Sequence, residues 1–442
     1  MRRIISLSLC LLIMFLGIFP TRTMADTATE NLPVIQAESA ILIDAKSKTV
    51  LFEKNAHKKQ YPASITKIMT ALLAIENLSP TDLITFSKEA IFSIERGSSH
   101  IGMDVGEQIT VDQALHGVLL MSANEVANGL AEAASGSIEN FGVKMTERAK
   151  ELGAVNTHFV NPHGLHSAEQ YTTAYDMALI TSYIYNNSYF SEIMSHTTYQ
   201  IPSTNKTTET RYLSQQHRLM NQQRDSKMYR ADVIAGKTGY TDVARHTLVT
   251  VAKHGDIDLV AVILKSERDS LYTDTNALLN YGINSYRTLN LHSTGTSLKT
   301  LPMYSVKSGQ TYQAGNCSIS VETPLSILIQ KDIKERDITT HIDLPEYIEI
   351  GTSKGSTIGT ITYLHGTQIL AKNNLLIKDI EFSPSPYPTV LPVSNTLLID
   401  KKIYFIVIPA VLIVFFISVL RRIFKRRRRK KVAKLKFNRR IK

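Results

Sequence analysis

The sequence predicts an α+β fold in which an antiparallel sheet with helical layers is followed by a small all-β domain and a C-terminal transmembrane helix. Three observations carry that reading. Strand-like runs near residue 40 and beyond residue 233 flank a series of segments with helical period. From Leu298 the texture changes to short alternating runs punctuated by Gly351, Gly355, Gly359 and Gly366. Near the end, residues 403–420 form an uncharged apolar stretch.

Taken in order, residues 40–43 and 49–52 read as short strands around a Lys46-Ser47-Lys48 turn. Pro62 then opens a helix whose apolar positions Ile65, Ile68, Met69 and Leu72 follow the 3.6 repeat. Further helices are predicted over 112–120, 124–134 and 138–152, the last stopped by Gly153. A polar stretch from 202 to 230 has few apolar anchors. Strands follow at 233–241, 247–253 and 259–265, the last two joined by a turn at His254-Gly255-Asp256, and then a helix over 270–281. Strands at both ends with helices between give one layered domain, placed at 34–290. The all-β domain is placed at 298–382, with strands at 326–330, 347–350, 357–363 and 375–380. Pro384, Pro386, Pro388 and Pro392 make 383–402 a stiff, extended linker.

The 442 residues exceed one ordinary domain, and the formal charge of +11 is unevenly placed. Residues 421–442 hold fourteen Lys and Arg and no acid, and residues 26–420 carry a charge of −6. The folded part is therefore mildly acidic, and no nucleic-acid partner is expected. Residues 1–25 run from Met1-Arg2-Arg3 through an apolar core to Thr23-Met24-Ala25, the pattern of a secretory signal peptide cut before Asp26. Cys10 leaves with it and Cys317 remains alone, so the mature chain has no intramolecular disulfide. As a helix, 403–420 spans about 27 Å, enough to cross a bilayer. Lys401 and Lys402 precede it and Arg421, Arg422 and the basic cluster at 425–431 follow, which puts 421–442 in the cytoplasm as a basic tail. The expected location is the cell membrane, single-pass, with the folded part extracytoplasmic.

Three short motifs carry the chemistry: Ser64-Ile65-Thr66-Lys67, Ser122-Ala123-Asn124 and Lys237-Thr238-Gly239. Ser64 and Lys67 lie one helical turn apart, and a lysine activates a serine hydroxyl when burial and neighbouring cations lower its pKa. Ile68, Met69 and Leu72 supply the apolar surroundings, and Lys237 supplies a second positive charge. Ser122 is placed to relay a proton to a leaving amine, and the Asn124 amide to bond a peptide. Gly239 lets a substrate backbone approach the strand, and Thr238 adds a hydroxyl. Ser203-Thr204-Asn205-Lys206 also satisfies two of these patterns, but it lies in the polar stretch and is assigned to a loop. His163 and His166 have metal-like spacing without a following Glu and are read as loop residues shaping the cleft, with no metal and no cofactor expected. Cys317 is read as a buried small hydrophobe, and Tyr175 and Asp176 as the start of a helix.

In combination these motifs resemble those of the D-alanyl-D-alanine carboxypeptidases, low-molecular-weight penicillin-binding proteins. The resemblance spans about 34–382 and includes Asn161-Pro162-His163-Gly164-Leu165, Thr173-Ala174-Tyr175-Asp176-Met177 and Gly236-Lys237-Thr238-Gly239-Tyr240-Thr241. It implies a β-lactamase/transpeptidase-like first domain and a two-stage reaction on peptidoglycan stem peptides ending in D-Ala-D-Ala. Ser64, deprotonated by Lys67, attacks the penultimate carbonyl, and water hydrolyses the acyl-enzyme. The backbone N–H groups of Ser64 and Tyr240 form the oxyanion hole, and β-lactams acylate the same serine. The family's carboxylate-pairing arginine falls here at Leu271; Arg268 is the nearest substitute, and Arg218 loosely matches another basic position. A β-lactamase and a catalytically silent peptidoglycan-binding anchor are the alternative readings.

Overall fold

The computed structural model describes residues 32–292, 295–307 and 310–383. The signal peptide, the linker beyond Ser383, the membrane span and the basic tail expected from the sequence lie outside these residues. Among the described residues no helix is long and apolar enough to cross a membrane.

The chain forms two compact units. The first contains strands β1 (Ser39–Asp44), β2 (Val50–Lys54), β3 (Leu83–Thr85), β4 (Gln108–Thr110), β5 (Thr198–Ile201), β6 (Arg211–Ser214), β7 (Val233–Thr241), β8 (Arg245–His254) and β9 (Ile257–Ser266). Its helices are α1 (Lys67–Asn77), α2 (Lys88–Phe92), α3 (Val111–Leu120), α4 (Asn124–Ser135), α5 (Ile138–Glu151), α6 (Ala174–Tyr185), α7 (Ser188–Ser195) and α8 (Arg268–Ser285). Five strands make an antiparallel sheet in the order β2-β1-β9-β8-β7. Every residue of β1 and eight consecutive residues of β9 are buried, so the sheet is packed on both faces. Gly282 of α8 shows how close that packing is: a Cβ there would lie 2.8 Å from Leu259 and 2.9 Å from Leu42.

Helix α1 departs from the single apolar stripe its sequence suggests. All of Lys67 to Ala74 is buried, because α1 runs through the middle of the helical layer against α4, α5 and α6. Thr70, Ala71 and Ala74 are small enough to admit those neighbours. Helix α3 starts with a Thr110–Gln113 capping box and ends at Met121, after which Ser122 takes a left-handed φ of 61°. That reversal starts α4 at Asn124. The polar stretch 202–230 holds one strand that alternation did not reveal: in β6, Leu213 is buried and Tyr212 is 72% exposed, too short a pattern to stand out.

The later strands are β10 (Tyr286–His292), β11 (Lys299–Lys307), β12 (Gln310–Val321), β13 (Leu325–Gln330), β14 (Ile338–Asp343), β15 (Ile348–Glu349), β16 (Thr357–His365) and β17 (Gln368–Phe382). Residues 321–343 and 359–375 group with the first unit, where β10 pairs with β13 and β14 with β16. The second unit begins at Ser297; in it β11 pairs antiparallel with β12 and parallel with β15. Cys317, fully buried, sits opposite Leu301 in that ladder.

One buried ion pair fixes the segment that leads into the site. Glu107 is fully buried, and Arg211 reaches both its oxygens at 2.8 and 3.0 Å. Thr204 and the Asp104 amide complete the shell at 2.6 and 2.8 Å. Burial raises the Glu107 pKa, but Arg211, Thr204 and Asp104 together outweigh it and hold the carboxyl below its ordinary range. The same guanidinium donates to the carbonyls of Ile101 at 3.0 Å and Gly102 at 2.7 Å. Arg211→Met strands a buried carboxylate, and denaturant unfolding is expected to show a loss of about 3–5 kcal/mol.

Candidate active site

Ser64 lies not on an α-helix, as its motif suggests, but on the 3-10 turn Ala63–Thr66 that leads into α1. The tighter turn brings residues three apart into register, so Lys67 stands directly over Ser64. Local bonds force this geometry. The Thr66 hydroxyl donates to the Ala63 carbonyl at 2.8 Å, and the Thr247 hydroxyl to the Pro62 carbonyl at 2.9 Å. Ala63 is held at φ 51°, a conformation that costs a non-glycine residue roughly 1 kcal/mol or more. Two glycines grip the turn. A Cβ on Gly164, itself at φ 87°, would lie 1.9 Å from the Ala63 carbonyl oxygen. A Cβ on Gly239 would lie 2.4 Å from Thr247 Oγ1 and 2.8 Å from the Ser64 nitrogen.

Lys67 is fully buried. Its Nζ lies 3.1 Å from Ser64 Oγ, 2.6 Å from Asn124 Oδ1 and 2.6 Å from the His163 carbonyl oxygen. Desolvation, then the charge of Lys237, push its pKa well below the ordinary lysine value, while Glu125 pulls the other way. The neutral amine has two N–H bonds and one lone pair. Asn124 Oδ1 and the His163 carbonyl can only accept, so they take both hydrogens and leave the lone pair for the Ser64 hydroxyl to donate into. That arrangement has the geometry to take a proton from Ser64.

The second motif reaches the site through the Ser122 reversal. Ser122 Oγ is buried in the cleft wall without a hydrogen-bond partner among the described residues. Asn124, read from sequence as a peptide-binding amide, has its carbonyl oxygen committed to Lys67. Lys237 on β7 is buried, its pKa lowered to about 7 by desolvation, and its amine donates to the Thr238 carbonyl at 2.9 Å. Behind β7 sits His217, which the motifs did not single out. It is fully buried, bonded through Nε2 to Thr250 Oγ1 at 2.9 Å, and its pKa falls to about 3 through burial and the charge of Lys237. Gly236 makes room for it, since a Cβ there would meet the imidazole at 2.7 Å.

Ser64, Ser122, Asn124, Thr238, Gly239 and Tyr240 line one cleft of about 1120 Å³. Its wall also contains residues 95–100, which sequence reasoning missed because a loop leaves no periodic signal. Arg218 and Arg268 both line it, but Arg218 is paired with Asp225 through its Nε at 2.7 Å. The Arg268 side chain has no hydrogen bond or ion pair among the described residues, and buried Leu271 lines the same cleft. His163 contributes its carbonyl, and burial lowers its imidazole pKa to about 3. His166 instead packs edge-on against Tyr61. Asp176 lies in the first turn of α6, after Tyr175. The Ser203–Lys206 copy of the motifs is in no helix or strand.

A family model described as D-alanyl-D-alanine carboxypeptidase matches residues 25–268. The chain is 31% identical to D-alanyl-D-alanine carboxypeptidase DacF of Bacillus subtilis, over 78% of this chain and 85% of that protein. It is 30% identical to D-alanyl-D-alanine carboxypeptidase DacC of Escherichia coli, over 83% and 90%. Among solved structures, penicillin binding protein 5 of Haemophilus influenzae superposes with a TM-score of 0.67 at 25% identity, covering 79% of this chain and 99% of that one.

The grip on the Ser64 turn is testable. Gly239→Ala displaces the turn from β7, and acylation by a fluorescent penicillin is expected to fall roughly 100-fold, the cost of an ångström of misplacement. Circular dichroism should show the fold retained.

Proposed function

The chain belongs to the D-alanyl-D-alanine carboxypeptidase family, and from that premise we propose which of its residues perform the reaction. The activity is that of a serine-type D-Ala-D-Ala carboxypeptidase acting on peptidoglycan stem peptides. Ser64 is the nucleophile and Lys67 its base. Ser64 gives its proton to Lys67 Nζ as Oγ bonds to the penultimate D-Ala carbonyl carbon. The oxyanion settles on the N–H groups of Ser64 and Tyr240, each donor worth about 3–4 kcal/mol in comparable sites. As the C–N bond breaks, Ser122 passes its proton to the departing D-Ala amine and regains one from the Lys67 ammonium, which returns the amine to its neutral form, and water then cleaves the ester. The observation that carries this reading is the 3.1 Å approach of Lys67 Nζ to Ser64 Oγ, with both amine hydrogens engaged elsewhere.

Strand β7 ends the sheet, so its outer edge has no partner strand among the described residues. An extended peptide adds along that edge past Thr238 and Gly239, where Gly239 allows close approach and Asn124 lines the same cleft. Arg268, uncommitted at the cleft rim, takes the terminal carboxylate. β-Lactams acylate Ser64 by the same approach. Attachment through 403–420, with the catalytic unit outside the cytoplasmic membrane, completes the proposal, supported by the apolar and basic pattern of the sequence. Ending the chain at residue 402 should then release it from the membrane fraction; retention there would refute the anchor.

Ser64→Ala is expected to abolish both penicillin acylation and D-Ala release from a stem pentapeptide. Hydrolysed penicillin turning over rapidly in the native protein would favour a β-lactamase instead. The pH dependence follows from sign. Acylation needs neutral Lys67, so the rate rises with pH through the Lys67 titration. The Lys237 charge lowers that pKa. Lys237→Ala is therefore expected to shift the acid limb of the penicillin acylation profile to higher pH.

A further inference from the structure

Taking the proton of Ser64 makes Lys67 an ammonium in a site that already holds buried Lys237. Two buried cations repel, and an ion without a counter-charge is costly in such surroundings. Three acids line the cleft, and none of them acts on Lys67. Glu95 is exposed, Asp225 is paired with Arg218, and Asp242 accepts from the Tyr240 hydroxyl. Glu125 is different. It follows Asn124 in the first turn of α4 and is 2% exposed. Its Oε1 accepts the Ile101 N–H at 2.7 Å, and its Oε2 is buried with no partner among the described residues.

We propose that Glu125 is the counter-charge that the Lys67 ammonium meets as Ser64 is deprotonated, a positioning residue that acts through Lys67. The groups that surround the pair fit this assignment. Lys67 lies in the field of Lys237 on β7 and of Glu125 on α4, the residue that follows its hydrogen-bond partner Asn124, and it meets the carbonyl of His163, whose imidazole is neutral. Glu125 is bonded by the Ile101 N–H, with His100 and the Met103 main chain nearby and the positive end of α4 at its own first turn. Burial, the largest influence, raises the Glu125 pKa above its ordinary value, and the nearby amides and His100 only partly offset it. A carboxylate with one oxygen anchored and the other unpartnered has capacity for a charge that appears only during the reaction.

The assignment rests on Lys67 being the base. It is tested by the pH profile of the penicillin acylation rate in the full chain. Glu125→Gln keeps the shape and the acceptor for Ile101 and removes the charge. Without the anion the Lys67 pKa falls further, so the acid limb should move down by about one pH unit, and the plateau should drop roughly tenfold for loss of the counter-charge. A merely structural loss admits water around Lys67, relieves its desolvation and moves the limb up. Glu125→Asp retains the charge and should keep the limb near its native position. It also serves as the informative variant if the Gln form does not fold. An unmoved or raised limb in Glu125→Gln, or a limb lowered in Glu125→Asp as well, overturns the counter-charge. Lys67→Ala separates the two failures: if it still acylates at the native rate, the base assignment is wrong, and if it is inactive while Glu125→Gln keeps the native profile, only the counter-charge falls.

Discussion

A primary amine deprived of water governs this molecule. Lys67 is buried on every side, and a buried lysine is stable only as the neutral amine or beside matched partners. Around it the fold supplies acceptors rather than anions for two of its three contacts, and a hydroxyl for the third. The helical layer exists in the form it does to keep that amine dry. Helix α1 is enclosed by its neighbours along two turns, and the chain spends left-handed conformations at Ala63 and Ser122 to bring the Ser64 and Asn124 ends together.

Much of this was legible in the chain. The three motifs, the buried face after Ser64 and the β7–β9 strands follow from residue type and period, because side chains that must meet across one turn or one strand leave a short-range pattern. What stayed hidden is long-range or backbone-borne. No periodicity announces that His163 contributes its carbonyl rather than its ring, nor that Asn124 spends its oxygen on Lys67. The 3-10 geometry at Ser64 is set by Thr247 and Gly239, which lie far along the chain, and not by the residues of the turn alone. His217 and Glu125 looked like ordinary polar residues because burial is decided by the tertiary fold. The all-β region behaved similarly: the strands at 326–330, 347–350, 357–363 and 375–380 were readable, but β10, β11, β12 and β14 were not, and the division between two compact units depends on pairing that alternation does not encode.

The cleft wall is tied to the core from two sides. Asn124 donates its backbone N–H to the Ser99 carbonyl at 2.9 Å and Glu125 accepts from Ile101, while Arg211 holds the carbonyls of Ile101 and Gly102. A guanidinium that itself leans on the buried Glu107 thus shares a short stretch of main chain with the residues that flank Lys67. Stability of the fold and alignment of the site meet in four neighbouring residues.

The grip of Gly164 and Gly239 on the Ser64 turn bears on how such an enzyme escapes its inhibitors. With backbone or a nearby hydroxyl within 3 Å of where either side chain would begin, the turn has no room to reshape itself around one acyl donor and not another. Changes that hinder entry of a rigid bicyclic ring and still admit a flexible peptide are accommodated instead on the solvent-exposed part of the wall, at Glu95, Arg96, Gly97, Ser99 and His100.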